Sequence, residues 1–285
     1  RGTNNQGSEI NIPMAGNYWA KTHDITGQPV TRDGFDPSLP WVGDPDNPDD
    51  MEKARLVRWA LAMAIDRELI AETVGVGLAW PSYVGMFNPI MPEWQDKWTV
   101  PYDPQRAREY LTQAGYPNGF GIHIFARTDT PIHVETANAV AGFWREIGLN
   151  VTVDSYPYQV WRPTLVNRTA NNPWISPCES GRLPRPWDWP VGTDMTTISR
   201  GGFGCGMEIP FLAQKFLEGS KEADPAKREA INNEVADYLH NWMLLPGVMT
   251  VPSFFMYNPR SIASWEPRPS LLTTFTAPEN IVPAR

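Results

Sequence analysis

Residue types able to bind a ligand occur in two places. The first is Trp187-Asp188-Trp189, with Arg182, Arg185 and Arg200 near it in sequence. An aspartate accepts hydrogen bonds from an ammonium group or from hydroxyls. An arginine grips a carboxylate through two parallel N–H donors. Indole rings offer flat apolar faces that cover an apolar side chain or stack on a sugar ring. The second place is Gly16-Asn17-Tyr18-Trp19, where Gly16 lets a ligand approach the backbone closely. Both sets are equipped to bind. Against that reading stand core packing for the tryptophans and a solvated loop for the arginines.

Covalent chemistry has no comparable support. The chain has no G-x-S-x-G, no H-E-x-x-H and no G-x-x-x-x-G-K. Gly202-Phe203-Gly204-Cys205-Gly206 lacks the third glycine of a dinucleotide loop and reads as a turn. The histidines, His23, His123, His133 and His240, never pair at i, i+4. They read as structural residues, so neither a metal nor a cofactor is expected. Cys178 and Cys205 stand outside any C-x-x-C. They fit one disulfide in an oxidising compartment or two inert thiols, and the disulfide is the preferred reading. Asp188, Asp194 and Glu208 lie near the Trp cluster, which raises a glycosidase carboxylate pair as an alternative. With 32 acidic residues in the chain, some carboxylates must fall beside aromatics. Asn150 and Asn167 begin glycosylation-type triplets, in a strand and at a helix end, which reads as chance.

The elements that must position these residues follow from apolar spacing and turn signals. A strand around Ile10 and Ile12 leads into the Gly16 segment. Residues 21–50 are a Pro- and Gly-rich loop. A helix capped by Asp49 or Asp50 carries the stripe Val57, Leu61, Ala64, Ile65, Leu69 and ends near Gly75. Asp103-Pro104 starts a second helix that stops at Gly115. A strand over 122–125, a helix from Pro131 to Ile147 and a strand over 149–153 make a βαβ unit, which implies parallel pairing. A helix is expected over 158–167. Residues 168–206 are long and irregular, a length that usually marks a functional loop. Helices over 208–219 and 224–243, a strand near 247–257 and a Pro-rich tail complete the chain.

The 285 residues allow one large domain or two small ones. With 24 basic against 32 acidic residues the net charge is −8, which disfavours nucleic-acid partners. The uncharged run from Asn241 to Pro259 is broken by Pro246, Gly247, Pro252 and Asn258. It reads as a helix end, a turn and a strand, not a membrane span. The chain opens at Arg1 with a polar stretch and no Met, which suggests a processed or cut piece.

Several of these segments together resemble family 5 extracellular solute-binding proteins, the peptide, nickel and oligosaccharide receptors of ABC importers. Val57-Arg58-Trp59-Ala60-Leu61-Ala62-Met63-Ala64-Ile65-Asp66-Arg67-Glu68 is similar to that family's VRxALxxAIDRE helix. Tyr102-Asp103-Pro104, Ala107, Leu111, Ala114 to Pro117 and Gly119-Phe120 match its YDPxxAxxLLxxAGYPxGF segment. Trp144 with Ile147 to Val151 resembles LxxIGIxV, and the last helix pair ends at Leu245-Pro246. The resemblance implies an α/β fold: the carboxyl-terminal lobe of a two-lobed periplasmic-binding-protein type II fold, with a mixed sheet flanked by helices. It implies an entry strand and insertion loop over 1–56, a ligand-binding lobe over 57–257 and a returning tail over 258–285. It places Asn17, Tyr18, Trp19, Arg182, Arg185, Trp187, Asp188, Trp189 and Arg200 at the ligand. It further implies no catalysis, an oligopeptide or oligosaccharide ligand and an ABC-importer permease as partner. The setting it implies is periplasmic or extracellular, compatible with a lipid anchor on the full-length protein. The chain departs from the family in its longer Pro-rich segment before residue 57, and in carrying Trp187-Asp188-Trp189-Pro190 where a DP signature would stand.

Overall fold

A computed structural model describes residues 2–87, 89, 94–176, 205–255, 257–265 and 278–284. Strand β1 (Gly2–Asn11) pairs antiparallel with β5 (Gly247–Phe255), and the short β2 (Trp80–Pro81) pairs on the other side of β5. Strands β3 (Gly121–Arg127) and β4 (Asn150–Tyr156) pair in parallel, joined by helix α4 (Pro131–Glu146). This is the βαβ unit that the sequence spacing predicts.

One short segment, residues 174–176, stitches the two groups of strands together. Phe125 N donates to Pro173 O (3.1 Å) and Ile175 N to Phe125 O (2.8 Å), a parallel bridge. Asn11 and Ser176 exchange both backbone bonds at 3.0 and 2.9 Å, an antiparallel bridge. The strand order is therefore β4, β3, 174–176, β1, β5, β2. A further hairpin, β6 (Ile262–Trp265) with β7 (Ile281–Pro283), stands apart from this order.

The main core lies on one face of this sheet. Ile122, Ile124 and Ala126 of β3 meet Ala137, Val140, Ala141 and Trp144 of α4 and Val57 and Leu61 of α1 (Pro48–Met63). Ile10, Ile12, Val248 and Met249 extend the same cluster across β1 and β5. Alternation along β3 sends its other residues to the opposite face. There Phe125 packs with Trp161 and Leu165 of α5 (Tyr158–Val166), and with Trp174.

The first helix differs from the sequence expectation. Its cap is Asn47, which accepts from Asp50 N (3.3 Å), with Pro48 as the first helical residue. The stripe that reads as one helix is two, α1 and α2 (Arg67–Thr73). Asp66 breaks it by accepting from Leu69 N (2.9 Å), since an Asp side chain offers the backbone a cap in place of the next helical turn. The buried Arg67 then donates to Ala62 O and Ile65 O, carbonyls close to the break. Leu69, at the end of the expected stripe, points out and is 45% exposed.

Helix α3 (Pro104–Gln113) starts as the sequence indicates, with Asp103 accepting from Arg106 N at 2.9 Å. Past its end, Gly119 (φ +69°) lies so close to the α4–β4 turn that a Cβ would sit 2.0 Å from Gly148 O. Only glycine fits there. Helices α6 (Pro210–Lys221) and α7 (Pro225–Trp242) pack a second cluster with Met207, Leu212, Val235 and Leu239. The uncharged run after Asn241 resolves into the end of α7, a left-handed Met243 and β5. Among the described residues no helix is long and apolar enough to cross a membrane.

Candidate functional site

Asn17, Tyr18 and Trp19 follow β1 and are buried. Asn17 Nδ2 donates to Met14 O (2.7 Å), while its Oδ1 accepts from Gly43 N (3.2 Å) and from Arg58 Nη1 (3.3 Å). Trp19 Nε1 donates to Gly43 O at 2.8 Å, and its ring meets Trp242 edge-on. Arg58 of α1 lies fully buried here. It donates to Trp41 O and Trp242 O at 2.7 Å, and burial pulls its guanidinium down to about 9. Side chains in these environments tie the 14–19 segment to α1 and to the 41–43 turn.

Tyr18 lies beside an ion pair between the partly buried Arg168 and the fully buried Glu208. Arg168 grips both carboxylate oxygens of Glu208 at 2.6 and 2.7 Å and also donates to Thr31 O. Burial and the Glu208 charge hold the Tyr18 phenol above its ordinary range. Glu208 reads from sequence as one member of a carboxylate pair, but its oxygens are committed to Arg168 and its side chain is fully enclosed. The other members, Asp188 and Asp194, lie outside the described residues, as do Arg182, Arg185, Trp187, Trp189 and Arg200. Cys178 also lies outside them, and Cys205 is buried among Met207, Leu212 and Leu244.

The histidines stay apart. His23 Nδ1 accepts from Ile25 N in a surface turn (3.2 Å), His123 pairs with Asp154 on the sheet surface (2.8 Å), and His240 meets Trp59 edge-on. Among the described residues no cluster of His, Cys, Asp and Glu could hold a metal ion.

Chemistry that the sequence reading did not single out gathers at the carboxyl ends of β3 and β4. In open α/β sheets this is the edge where ligands bind. Arg127 closes β3 and donates to both oxygens of Asp129 at 3.2 and 2.6 Å, which holds the Asp129 carboxyl below its ordinary range. Asp129 also accepts from Tyr158 N (3.3 Å). The Tyr158 ring lies under the Arg127 and Arg162 guanidiniums, at 4.9 and 6.0 Å. Helix α4 starts here at Pro131 with no side-chain cap, so the positive end of its dipole faces this edge. His133 in its first turn is buried with Nδ1 unpartnered. Desolvation, helped by the Arg127 charge, lowers it to about 4. Below lies an aromatic stack of Phe125, Tyr156, Trp161 and Trp174. The signal available in sequence was position alone: residues 127–131 follow a strand and open a helix.

The strands form a mixed sheet with helices packed on it, and charged and aromatic residues gather at the carboxyl edge of β3 and β4. Residues 37–174 match the family described as bacterial extracellular solute-binding proteins, family 5 Middle. The Haemophilus influenzae heme-binding protein A is 32% identical over 117 residues, which is 37% of this chain and 20% of that protein. NikA from Brucella suis, solved with Fe(III)-EDTA, superposes over 99% of this chain and 52% of its own, with a TM-score of 0.70 at 13% identity. DppA from Helicobacter pylori, solved with the peptide STSA, covers 71% of this chain and 40% of its own, with a TM-score of 0.59 at 19% identity. The fold is that of the type II periplasmic binding proteins. The chain spans about half or less of the length of these relatives.

Proposed function

We propose that this chain is the carboxyl-terminal ligand-binding lobe of an extracytoplasmic solute-binding protein that serves an ABC importer. The reading rests on the family 5 match over residues 37–174, which includes the whole βαβ unit and its carboxyl edge. The ligand is an oligopeptide, with an oligosaccharide second. Two relatives known by their ligands, a heme-binding protein and a peptide complex, keep the role of receptor constant while the ligand varies.

On this reading the lobe does no covalent chemistry. A ligand held between this sheet edge and a second lobe favours the closed state through its differential affinity for it. The residues assigned to contact are Arg127, Asp129, Tyr158 and the α4 amino end. Asp188, Arg182, Arg185, Arg200, Trp187 and Trp189 are assigned from the sequence resemblance. Asn17, Tyr18 and Trp19 support the wall behind them. Entry is over residues 1–56, the lobe over 57–257 and the tail over 258–285. The permease is the partner, and the location is periplasmic or extracellular.

The test is a thermal-shift screen of the longest natural form of the protein against tripeptides, oligosaccharides and nickel. A ligand at 100 times its dissociation constant adds about 2.7 kcal/mol of stability, well within detection. A shift with one class supports the receptor reading and names the ligand class. Flat curves with all three sink it.

A further inference from the structure

We propose that the aromatic cluster under α5 is a subsite for a neutral oxygen acceptor of the ligand, held by the indole N–H groups of Trp161 and Trp174. This rests on the ligand-binding reading above and names the chemistry the site selects.

Both indoles are more than nine-tenths buried, at 5% and 3% exposure. Neither Nε1 has an acceptor. That is unusual, because a buried Trp N–H almost always finds one, and a stranded donor costs free energy. Other indoles in the same chain obey the rule. Trp19 donates to Gly43 O, Trp41 to Ala15 O, Trp59 to Asn241 O, Trp98 to Asp237 and Trp144 to Leu61 O, all within 2.7–3.0 Å. The two stranded donors belong to one cluster, with ring centroids 6.2 Å apart, and both rings pack on Phe125.

The location makes the pair useful. Phe125 lies in the last half of β3, with Tyr156 of β4 at 4.5 Å, just beneath the charged carboxyl edge. The charges there already satisfy each other, since Arg127 is bidentate to Asp129. What is missing is an acceptor without net charge. A peptide carbonyl or a sugar hydroxyl supplies one, and a flat or apolar group beside it can lie on the rings. Helix α5 is the element that yields to admit it. Trp161 rides on α5, and Pro163 within that helix removes a backbone donor from its last turns.

The test uses protein labelled with nitrogen-15 at its indoles and two probes: a tripeptide acetylated and amidated at its ends, and cellotriose. Trp161→Phe and Trp174→Phe assign the two N–H signals. At saturation with the probe that binds, those two signals move while the signals of Trp41 and Trp144 stay in place. Each Phe variant weakens that probe about two- to tenfold, the worth of one hydrogen bond. The peptide and sugar arms say which source of acceptor the site takes. If a probe binds with both signals and both affinities unchanged, the subsite is refuted and the receptor reading stands. If neither probe nor any compound of the thermal-shift screen binds, both are refuted.

Discussion

Burial of Glu9 is costly for its charge. The side chain sits fully enclosed in β1, accepting from Ser82 Oγ at 2.5 Å and Met86 N at 2.9 Å, and desolvation still pushes it up to about 8. In the folded state it therefore keeps a proton that the unfolded chain releases near 4.5. Between those two values the native state binds more protons, so stability falls as pH rises, by about 1.4 kcal/mol per unit. His133 works in the other direction. Lowered to about 4, it makes stability rise with pH up to its ordinary value near 6.5. Glu9→Gln keeps a neutral group of the same shape and removes only the first effect. Urea unfolding at pH 5, 6.5 and 8 is expected to give nearly equal midpoints at pH 5 and a variant that is the more stable by pH 8. Parallel curves across that range would show that Glu9 stays ionised. The Arg168–Glu208 pair gives a second residue-scale outcome. Arg168→Met leaves the Glu208 carboxylate enclosed without its partner and is expected to cost about 3 kcal/mol or more. Arg168→Met with Glu208→Gln should recover part of that loss, and calorimetry on the two variants beside the parent decides it.

At the scale of elements, local signals and tertiary ones separate cleanly. Asp103-Pro104, Pro131 and Asp224-Pro225 start helices where the sequence indicates, because a cap or a proline acts within one turn. The βαβ unit was legible for the same reason. The break at Asp66 was not, because the apolar stripe runs on through it and only a side-chain bond to Leu69 N stops the helix. The stitch at 174–176 was also hidden. Its residues pair with two strands distant in sequence, and nothing local marks it. The candidate site divides likewise. The family resemblance places Asn17, Tyr18 and Trp19 at the ligand, and the buried network that they join is tertiary. Arg127 and Asp129 carry no motif and gain meaning only from the strand edge. After α2 the turn Gly75-Val76-Gly77-Leu78 closes with Leu78 N donating to Gly75 O, and both central residues have positive φ. Val76, at φ +49° and 72% exposed, is β-branched in a left-handed position. That conformation costs a non-glycine residue about 1–2 kcal/mol. Asn is favoured at this place in such a turn. Val76→Asn is expected to stabilise by about 1 kcal/mol, read as a raised urea midpoint with unchanged slope. A lowered midpoint would mean that Val76 packs where the turn needs it.

The whole molecule depends on the union of two strand groups that the chain builds separately. One, β3–α4–β4, is local in sequence. The other, β1–β5–β2, closes the chain on itself across more than two hundred residues, from Gly2 with Phe255 onward. The shared apolar core holds them side by side, but nonpolar contact fixes no register. Register comes from the bonds at 173–176, where Ile175 N donates to Phe125 O and Ser176 exchanges bonds with Asn11. The same stitch carries Trp174 into the aromatic cluster and brings the strand edge to the start of the segment that follows residue 176. Ile175→Pro removes the donor while leaving the neighbouring backbone extended, as proline prefers. Ile175→Val keeps the donor and trims one methylene from a fully buried side chain, a loss of about 0.5–1.5 kcal/mol. Amide hydrogen exchange is expected to report the two variants differently. With Val, protection should fall evenly across the strands, as for any small loss in a common core. With Pro, β3 and β4 should lose far more protection than β1 and β5, because their opening is no longer tied to the rest of the sheet. Equal losses in both variants would place the coupling in the apolar core alone. A selective loss would assign to one backbone bond the geometry by which the carboxyl edge of β3 and β4 is held to the strands β1 and β5.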